Sequence, residues 1–135
     1  MDIKSQAHEF SGNDAYKKLL DFVEEYFQTA GHQAQDSKKV IQTELPPLYL
    51  QRRGHSMTIV GLEYHTGHAH KRSLIVFDPG YTPRAALFEE RTAQSTRNIF
   101  GSIVKSRKRT IAMGKYRRGP AYLRKYNRFE VLQRV

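Results

Sequence analysis

The segments PPLYLQRRGHSMTIVGLE, residues 46–63, and SLIVFDPG, residues 73–80, contain three short apolar runs. Turn-forming residues separate the runs, and the middle run is rich in β-branched residues, which favours strands. Mostly apolar runs of this kind indicate strands that are covered on both faces. The predicted strands are residues 48–51, 57–62 and 74–77.

A hairpin between the second and third strands would bring His55, before the second strand, towards Asp78, after the third. If Glu63 faces Arg72 across the hairpin, then Met57 faces Asp78. His55 lies on the same face of its strand as Met57, because side chains alternate along a strand. His55 and Asp78 are then diagonal neighbours. A register shift of one residue would move Asp78 to the opposite face.

A histidine beside a carboxylate is a pair with defined chemistry. The carboxylate orients the imidazole and stabilises its charged form, and the imidazole acts as general base for a nucleophile. Polar residues near strand ends are more often structural than catalytic, so the spacing alone leaves both interpretations open. His55 and Asp78 are therefore the candidate catalytic residues.

An amphipathic helix is predicted before the strands. Ser11-x-x-Asp14 resembles a capping box, and Gly31 is a natural C-terminal stop. Apolar residues recur between these signals at helical spacing, which indicates a face that packs on a core. The face consists of Tyr16, Leu19, Leu20, Val23, Tyr26 and Phe27.

The length of 135 residues accommodates one domain. We expect a polar, loosely ordered segment at 1–12 and a domain at 13–135. The predicted fold class is α+β with α/β-like layering, in which antiparallel strands flank a hairpin loop at 64–72. The elements after the hairpin are a helix from Pro83 towards Phe100, a basic segment at 105–119, a short helix that Pro120 opens and that covers Ala121 to Tyr126, and a strand at 129–135.

The charge of the chain is unevenly distributed. The net charge is +10, of which residues 1–67 contribute −2 and residues 68–135 contribute +12. Such a basic half attracts polyanions or an acidic partner surface. The start of the chain has no signal-peptide pattern, and no run approaches the roughly 20 apolar residues of a membrane span. We therefore expect a cytoplasmic or nuclear protein with no membrane partner.

Two other groups of residues could carry chemistry. His65, His68 and His70 form an H-x-x-H-x-H pattern, and imidazoles bind zinc or copper. Structural zinc sites need four fixed ligands and the chain has no cysteine, so we interpret the pattern as a polar loop and predict no metal or other cofactor. Ser56 and Ser73 adjoin the candidate pair, but neither lies in a G-x-S-x-G elbow.

The basic segment between residues 105 and 128 is interleaved with tyrosines. Cations that bind phosphates beside stacking aromatic rings are typical of proteins that bind single-stranded nucleic acid. KSRKR at 105–109 also resembles a nuclear-import patch. A solvated surface or a surface that contacts an acidic partner would have the same composition, so nucleic-acid binding is one alternative among these.

The two segments quoted at the outset resemble the UFSP family of cysteine peptidases. Members act on ubiquitin-fold modifiers or, in the zinc-finger-bearing branch, on ubiquitin chains. The resemblance is carried by a Pro-Pro strand start, Tyr-Leu-Gln, Gly-His-Ser, a β-branched strand and a hydrophobic strand that closes on Asp-Pro. Further elements of the family are similar to two other segments, VEEYF and RFEVL. The basic stretch Tyr-Arg-Arg…Leu-Arg-Lys-Tyr before the last strand is similar to fungal members of the family. The resemblance covers about residues 13–135, the later half of the catalytic domain.

The resemblance implies a papain-like fold and thiol-dependent hydrolysis, in which His55 is the general base and Asp78 orients it. In the modifier-specific branch the motif reads Asp-Pro-His, with the base two residues after the aspartate. Gly80 stands at that position here. The resemblance therefore implies that His55 is the base and that ubiquitin is the ancestral substrate.

The cysteine of the family has no counterpart in these 135 residues. Without a thiolate His55 has nothing to activate, so we expect the chain to be inactive alone. The expected partners are ubiquitin or a ubiquitin-like protein and the missing N-terminal half of the domain. The alternatives are a non-catalytic ubiquitin-binding relative and a basic nucleic-acid-binding protein.

Overall fold

A computed structural model describes residues 2–30, 40–65, 71–81 and 114–135. These residues form one sheet with helices packed against it, which confirms a mixed α/β fold. The elements are β1 (Ser5–Ser11), α1 (Ala15–Gln28), β2 (Leu48–Arg52), β3 (His55–Tyr64), β4 (Arg72–Phe77), β5 (Arg117–Arg118), α2 (Pro120–Leu123) and β6 (Arg128–Arg134). The strand order is β1-β6-β2-β3-β4-β5, and each of these pairings is antiparallel.

Helix α1 packs its apolar face on the sheet, as its residue spacing predicts. Tyr16 and Phe27 pack at the margin of the core, and the hydroxyl of Tyr26 donates a hydrogen bond to the carbonyl of Pro46 at 2.7 Å. The helix side of the core consists of Ala15, Leu19, Leu20, Val23 and Tyr26, and the sheet side of Leu48, Leu50, Met57, Ile59, Leu74, Val76, Phe129 and Val131.

The predicted capping box is wrong, because Ser11 is the last residue of β1 and Asp14 occupies the N-cap without a side-chain hydrogen bond. The expectation of a loose N-terminal segment is also wrong for residues 5–11. They pair with β6 along the whole length of β1, and the pairing uses backbone groups that a polar sequence supplies equally well. His8 and Phe10 add tilted ring contacts to Phe22, at centroid distances of 4.5 and 5.4 Å.

The strands predicted from the two central segments are confirmed, with β3 extending further at both ends than its apolar run. Gly54 has a φ of 73° in the turn between β2 and β3, a conformation that favours glycine because it has no Cβ. Among the described residues only one face of these strands is covered. Tyr49 and Phe77 on the other face are exposed, so cover on both faces is not observed at these two positions.

The pairing of β3 with β4 changes register once. Near the loop, Glu63 faces Ser73, one residue away from the predicted pairing of Glu63 with Arg72. A bulge between Ile59 and Gly61 absorbs one extra residue of β3. Beyond the bulge Thr58 faces Phe77, which is the predicted register.

The short helix after Pro120 is confirmed and ends at Leu123, before the predicted Tyr126. The last strand is confirmed as β6. The helix predicted between Pro83 and Phe100 lies outside the described residues, as do residues 105–113 of the basic segment. The described helices are too short or too polar for a membrane crossing.

Candidate active site

The structure brings His55 and Asp78 into direct contact. His55 begins β3 and Asp78 follows β4 directly, so both lie at the same end of the sheet. His55 Nε2 lies 2.8 Å from Asp78 Oδ2. The side chain of Asp78 is 6% exposed and that of His55 is 28% exposed, so the carboxylate is buried and the ring is accessible.

Asp78 is held in its charged form by three donors. The backbone N–H of Gly80 donates to Oδ1 at 2.8 Å, and Arg118 Nη2 donates to Oδ2 at 3.0 Å beside the contact with His55. Burial alone would raise the pKa of Asp78, but the hydrogen bonds from His55, Gly80 and Arg118 outweigh it and hold the pKa below its ordinary value. The site therefore contains a buried, ionised carboxylate.

The contact sets which nitrogen of His55 can act as a base. Nε2 faces the carboxylate, so in the neutral ring the proton lies on Nε2 and the lone pair on Nδ1. Asp78 also stabilises the imidazolium that forms when Nδ1 accepts a proton. The pair can therefore orient a general base towards a group that approaches from the solvent side.

Gly80 lies against both members of the pair. A Cβ at this position would lie 3.1 Å from Asp78 Oδ1 and 3.9 Å from the Cε1 of His55. A side chain here would crowd the carboxylate, and the absence of one also leaves room beside the ring. Gly80, which stands at the position of the histidine in the modifier-specific branch, thus lies directly beside His55 and Asp78.

Arg118 is a site residue that the sequence did not single out from the other cations of the basic segment. It is buried in β5, forty residues after the aspartate that it contacts. The segment has weak periodicity and many cations, so its pattern does not distinguish a buried arginine from an exposed one. The single usable signal is its place before Gly119-Pro120, where the short helix α2 begins.

The other candidate groups do not join the site. Ser73 Oγ lies 2.8 Å from His65 Nε2, and Ser56 donates a hydrogen bond to Gln51 Oε1, so both serines have partners other than His55. His68 and His70 lie outside the described residues. Within the described ranges no three histidine, cysteine, aspartate or glutamate side chains form a group that could hold a metal ion.

Several cations of the basic half form ion pairs within the fold. Arg117 Nε lies 2.7 Å from a carboxylate oxygen of Glu63, and Arg128 Nε lies 3.1 Å from one of Glu9. These cations therefore have carboxylate partners within the fold, with Arg117 partly buried and Arg128 exposed. Nucleic-acid binding by the basic segment stays a prediction.

Comparison with known proteins gives a consistent result. The chain matches relatives named zinc finger-containing ubiquitin peptidase 1, among them those of Mus musculus, Homo sapiens and Bos taurus. The protein of Mus musculus is 31% identical to this chain over 91 residues, which is 65% of the chain. The proteins of Homo sapiens and Bos taurus are 33% and 36% identical over 69 residues, which is 51% of the chain in each case. The matched regions span 11 to 15% of the length of these relatives.

These matches and a family model agree with the resemblance to the UFSP family and with the terms hydrolase, protease and deubiquitinase-like. The model of peptidase family C78 matches residues 1–132. Since that match extends over nearly the whole chain, the chain belongs to peptidase family C78.

Proposed function

We propose that this chain supplies the general base and the orienting carboxylate of a cysteine-peptidase site that acts on ubiquitin or a ubiquitin-like modifier. The observation that carries the proposal is the contact of His55 Nε2 with the buried carboxylate of Asp78, which leaves Nδ1 as an accessible base. Membership of peptidase family C78 and the relatives named ubiquitin peptidase support this choice of reaction and substrate.

The nucleophile would come from polypeptide outside these 135 residues, which contain no cysteine. The two serines near the site have other hydrogen-bond partners, and Ser73 is buried. We therefore propose that the chain alone does not hydrolyse peptide or isopeptide bonds. A papain-like arrangement, with the thiol on a helix that faces Nδ1, is part of the same proposal.

Each step of the reaction assigns a task to His55. Nδ1 accepts the thiol proton, and the thiolate attacks the carbonyl carbon of the scissile bond. The imidazolium, stabilised by Asp78, then donates that proton to the leaving amine as the thioester forms. Water next attacks the thioester with His55 as base, which releases the carboxylate of the modifier and restores the thiol.

Reconstitution tests the proposal. The full chain is mixed with a cysteine-bearing fragment of the catalytic domain of the Mus musculus relative, and hydrolysis of a fluorogenic amide at the C-terminus of ubiquitin is measured. We expect hydrolysis from the mixture, from neither component alone, and none after alkylation of the thiol. A complex that forms without hydrolysis, or equal hydrolysis by the chain alone, would contradict the proposal.

A titration of the isotope-labelled chain with ubiquitin tests the non-catalytic alternative. Binding of ubiquitin together with an inactive reconstituted complex would support a relative that binds the modifier without turnover. Binding together with hydrolysis would agree with the proposed function.

A further inference from the structure

We propose that Arg118 is a positioning residue of this site, which fixes the Asp78 carboxylate so that His55 keeps its proton on Nε2 and presents Nδ1. The catalytic meaning of this inference rests on the proposed function. Its geometry can be tested on the chain itself, without hydrolysis.

Both oxygens of the Asp78 carboxylate are held by hydrogen bonds. Arg118 Nη2 and His55 Nε2 both contact Oδ2 of Asp78, at 3.0 and 2.8 Å, while Gly80 binds Oδ1. With both oxygens held, the carboxylate cannot rotate without breaking a hydrogen bond. The oxygen that faces His55 is thereby fixed in place by Arg118 from β5 and by the backbone of the turn that follows Asp78.

Arg118 is buried together with the carboxylate that it contacts. The side chains of Arg118 and Asp78 are each 6% exposed, and burying a guanidinium is costly unless it is paired. Its Nε is the one buried side-chain nitrogen or oxygen without a hydrogen-bond partner among the described residues. The guanidinium is thus oriented so that Nη2 binds Asp78, while its Nε–H is left without an acceptor.

Arg118 is itself held by backbone carbonyls and by two aromatic rings. Nη1 donates to the carbonyls of Lys115 and Arg117 at 2.5 and 3.0 Å. The guanidinium also lies between the rings of Tyr81 and Tyr122, 5.5 and 5.0 Å from their centroids. These contacts leave the fork little freedom to turn away from the carboxylate.

The two rings belong to a longer stack in which cations and tyrosines alternate. It connects β2, the turn after β4, the segment around β5, and α2, so it ties the arginine to the end of the sheet where His55 lies. Such contacts between a cation and an aromatic ring are attractive, by about 0.5–1 kcal/mol when exposed and more when desolvated. The members in order are Lys115, Tyr81, Arg118, Tyr122, Arg52 and Tyr126.

The charges around Asp78 determine what the loss of Arg118 would do. Among the residues that the structure describes, two charged or titratable groups contact the carboxylate, His55 from β3 and Arg118 from β5. Lys115 and Arg52 lie further along the stack, and Tyr81 and Tyr122 separate them from Arg118. Without the guanidinium, Asp78 loses one of the hydrogen bonds that counter its burial, so its pKa should rise relative to the wild type. A carboxyl group that takes up a proton no longer requires a proton on Nε2.

Nuclear magnetic resonance of the full chain tests the inference. The readouts are the ¹⁵N shifts of the His55 ring, which report the tautomer, and the ¹³C shift of the Asp78 carboxyl group against pH. In the wild type we expect the Nε2–H tautomer and an Asp78 titration below its ordinary range. In Arg118→Met we expect a mixture of tautomers and an upward shift of the Asp78 titration.

Two further variants complete the test. Arg117→Met removes a cation from the adjacent residue, which pairs with Glu63, so it should give wild-type values for both readouts. Arg118→Lys keeps a positive charge without the planar fork and should give intermediate values, and it decides the question if Arg118→Met does not fold. Wild-type values of both readouts in any folded Arg118 variant would overturn the inference. If both readouts change in the Arg118 variants as expected but the reconstituted complex is inactive, the result would count against the proposed function and not against the role of Arg118.

Discussion

Asp78 lies on the same face of the sheet as His55 because a bulge interrupts the ladder between β3 and β4. Near the loop, Leu62 faces Leu74, and that register would place Asp78 opposite Thr58, with its side chain pointing away from His55. The bulge leaves Val60 unpaired and shifts the register by one residue. Because Val60 is accommodated in a bulge, the strand end at His55 keeps the register that brings the candidate pair together.

Deleting Val60 should remove the bulge and preserve the contact between His55 and Asp78. Ile59 already faces Val76 and Gly61 already faces Ile75, so a β3 strand without Val60 pairs regularly in the same register. The His55 ring ¹⁵N shifts should stay those of the wild type. Loss of the Nε2–H tautomer in the deletion variant would show that the bulge itself is required.

An alanine inserted between Phe77 and Asp78 is the matched control for that deletion. It also changes the chain by one residue, but it places the carboxylate on the opposite face, because side chains alternate along a strand. The contact with His55 should then be lost. Wild-type ring shifts after this insertion would mean that the end of β4 adjusts its register freely.

The lowered pKa of Asp78 predicts how stability depends on acid. A carboxyl group whose folded pKa lies below its unfolded value of about 3.9 stabilises the fold above that pH, and the contribution is lost as the pH falls towards the folded pKa. The free energy of unfolding in urea should therefore fall more steeply below about pH 5 in the wild type than in Asp78→Asn. Parallel curves for the two proteins would contradict this role of Asp78.

Asp78→Asn should also be less stable than the wild type at neutral pH. The substitution leaves the buried guanidinium of Arg118 without its counter-charge, which typically costs about 3–5 kcal/mol. The double variant Asp78→Asn with Arg118→Met should recover part of that loss, because it removes both charges. A double variant that is as unstable as the sum of the single variants would show that the two residues act independently.

Tyr64 should ionise late in an alkaline titration. Burial, together with the hydrogen bond to Glu24 and its negative charge, raises the pKa of Tyr64 to about 12. A raised pKa means a stabilising contribution that is present below pH 10 and is lost as the pH rises through about 12. Ultraviolet absorbance should show a tyrosine step near pH 12 that is smaller by one tyrosine in Tyr64→Phe and unchanged in Tyr49→Phe.

Much of the site could be predicted because it depends on local pattern. The β-branched run and the Asp-Pro-Gly end of β4 locate both strands, and the apolar spacing of α1 locates the helix that covers them. The predicted register differs from the observed one by one residue near the loop, and the bulge at Val60 brings the two into agreement at the site. The predicted proximity of His55 and Asp78 is therefore observed, although the ladder between β3 and β4 is irregular.

The parts that escaped prediction depend on contacts between distant residues. β1 is polar, and its pairing with β6 brings together residues more than a hundred positions apart, such as Ser11 and Arg128. Arg118 meets Asp78 across forty residues, in a segment whose cations look alike in sequence. Backbone pairing and buried ion pairs leave little periodic signal, so neither feature could be read from residue spacing.

The core beneath the site should be sensitive to truncation at Phe129. Its side chain is fully buried, and the residue pairs with Phe10 of β1 and Arg52 of β2, so it joins three strands. Phe129→Ala should lower the free energy of unfolding by about 3–5 kcal/mol. Leu132→Ala, on the exposed face of the same strand, should cost less than about 1 kcal/mol, which urea unfolding can resolve.

The strictest test of the candidate pair is its removal from the reconstituted enzyme. His55→Ala should abolish hydrolysis of the ubiquitin amide, because no other base contacts Asp78 among the described residues. Asp78→Asn should lower kcat/KM by at least about 100-fold, because an amide does not impose the Nε2–H tautomer or stabilise the imidazolium. His65→Ala is the matched control, because its ring contacts Ser73, outside the site, and it should retain full activity. Full activity of His55→Ala would show that the base lies elsewhere, even if the contact with Asp78 is present in solution.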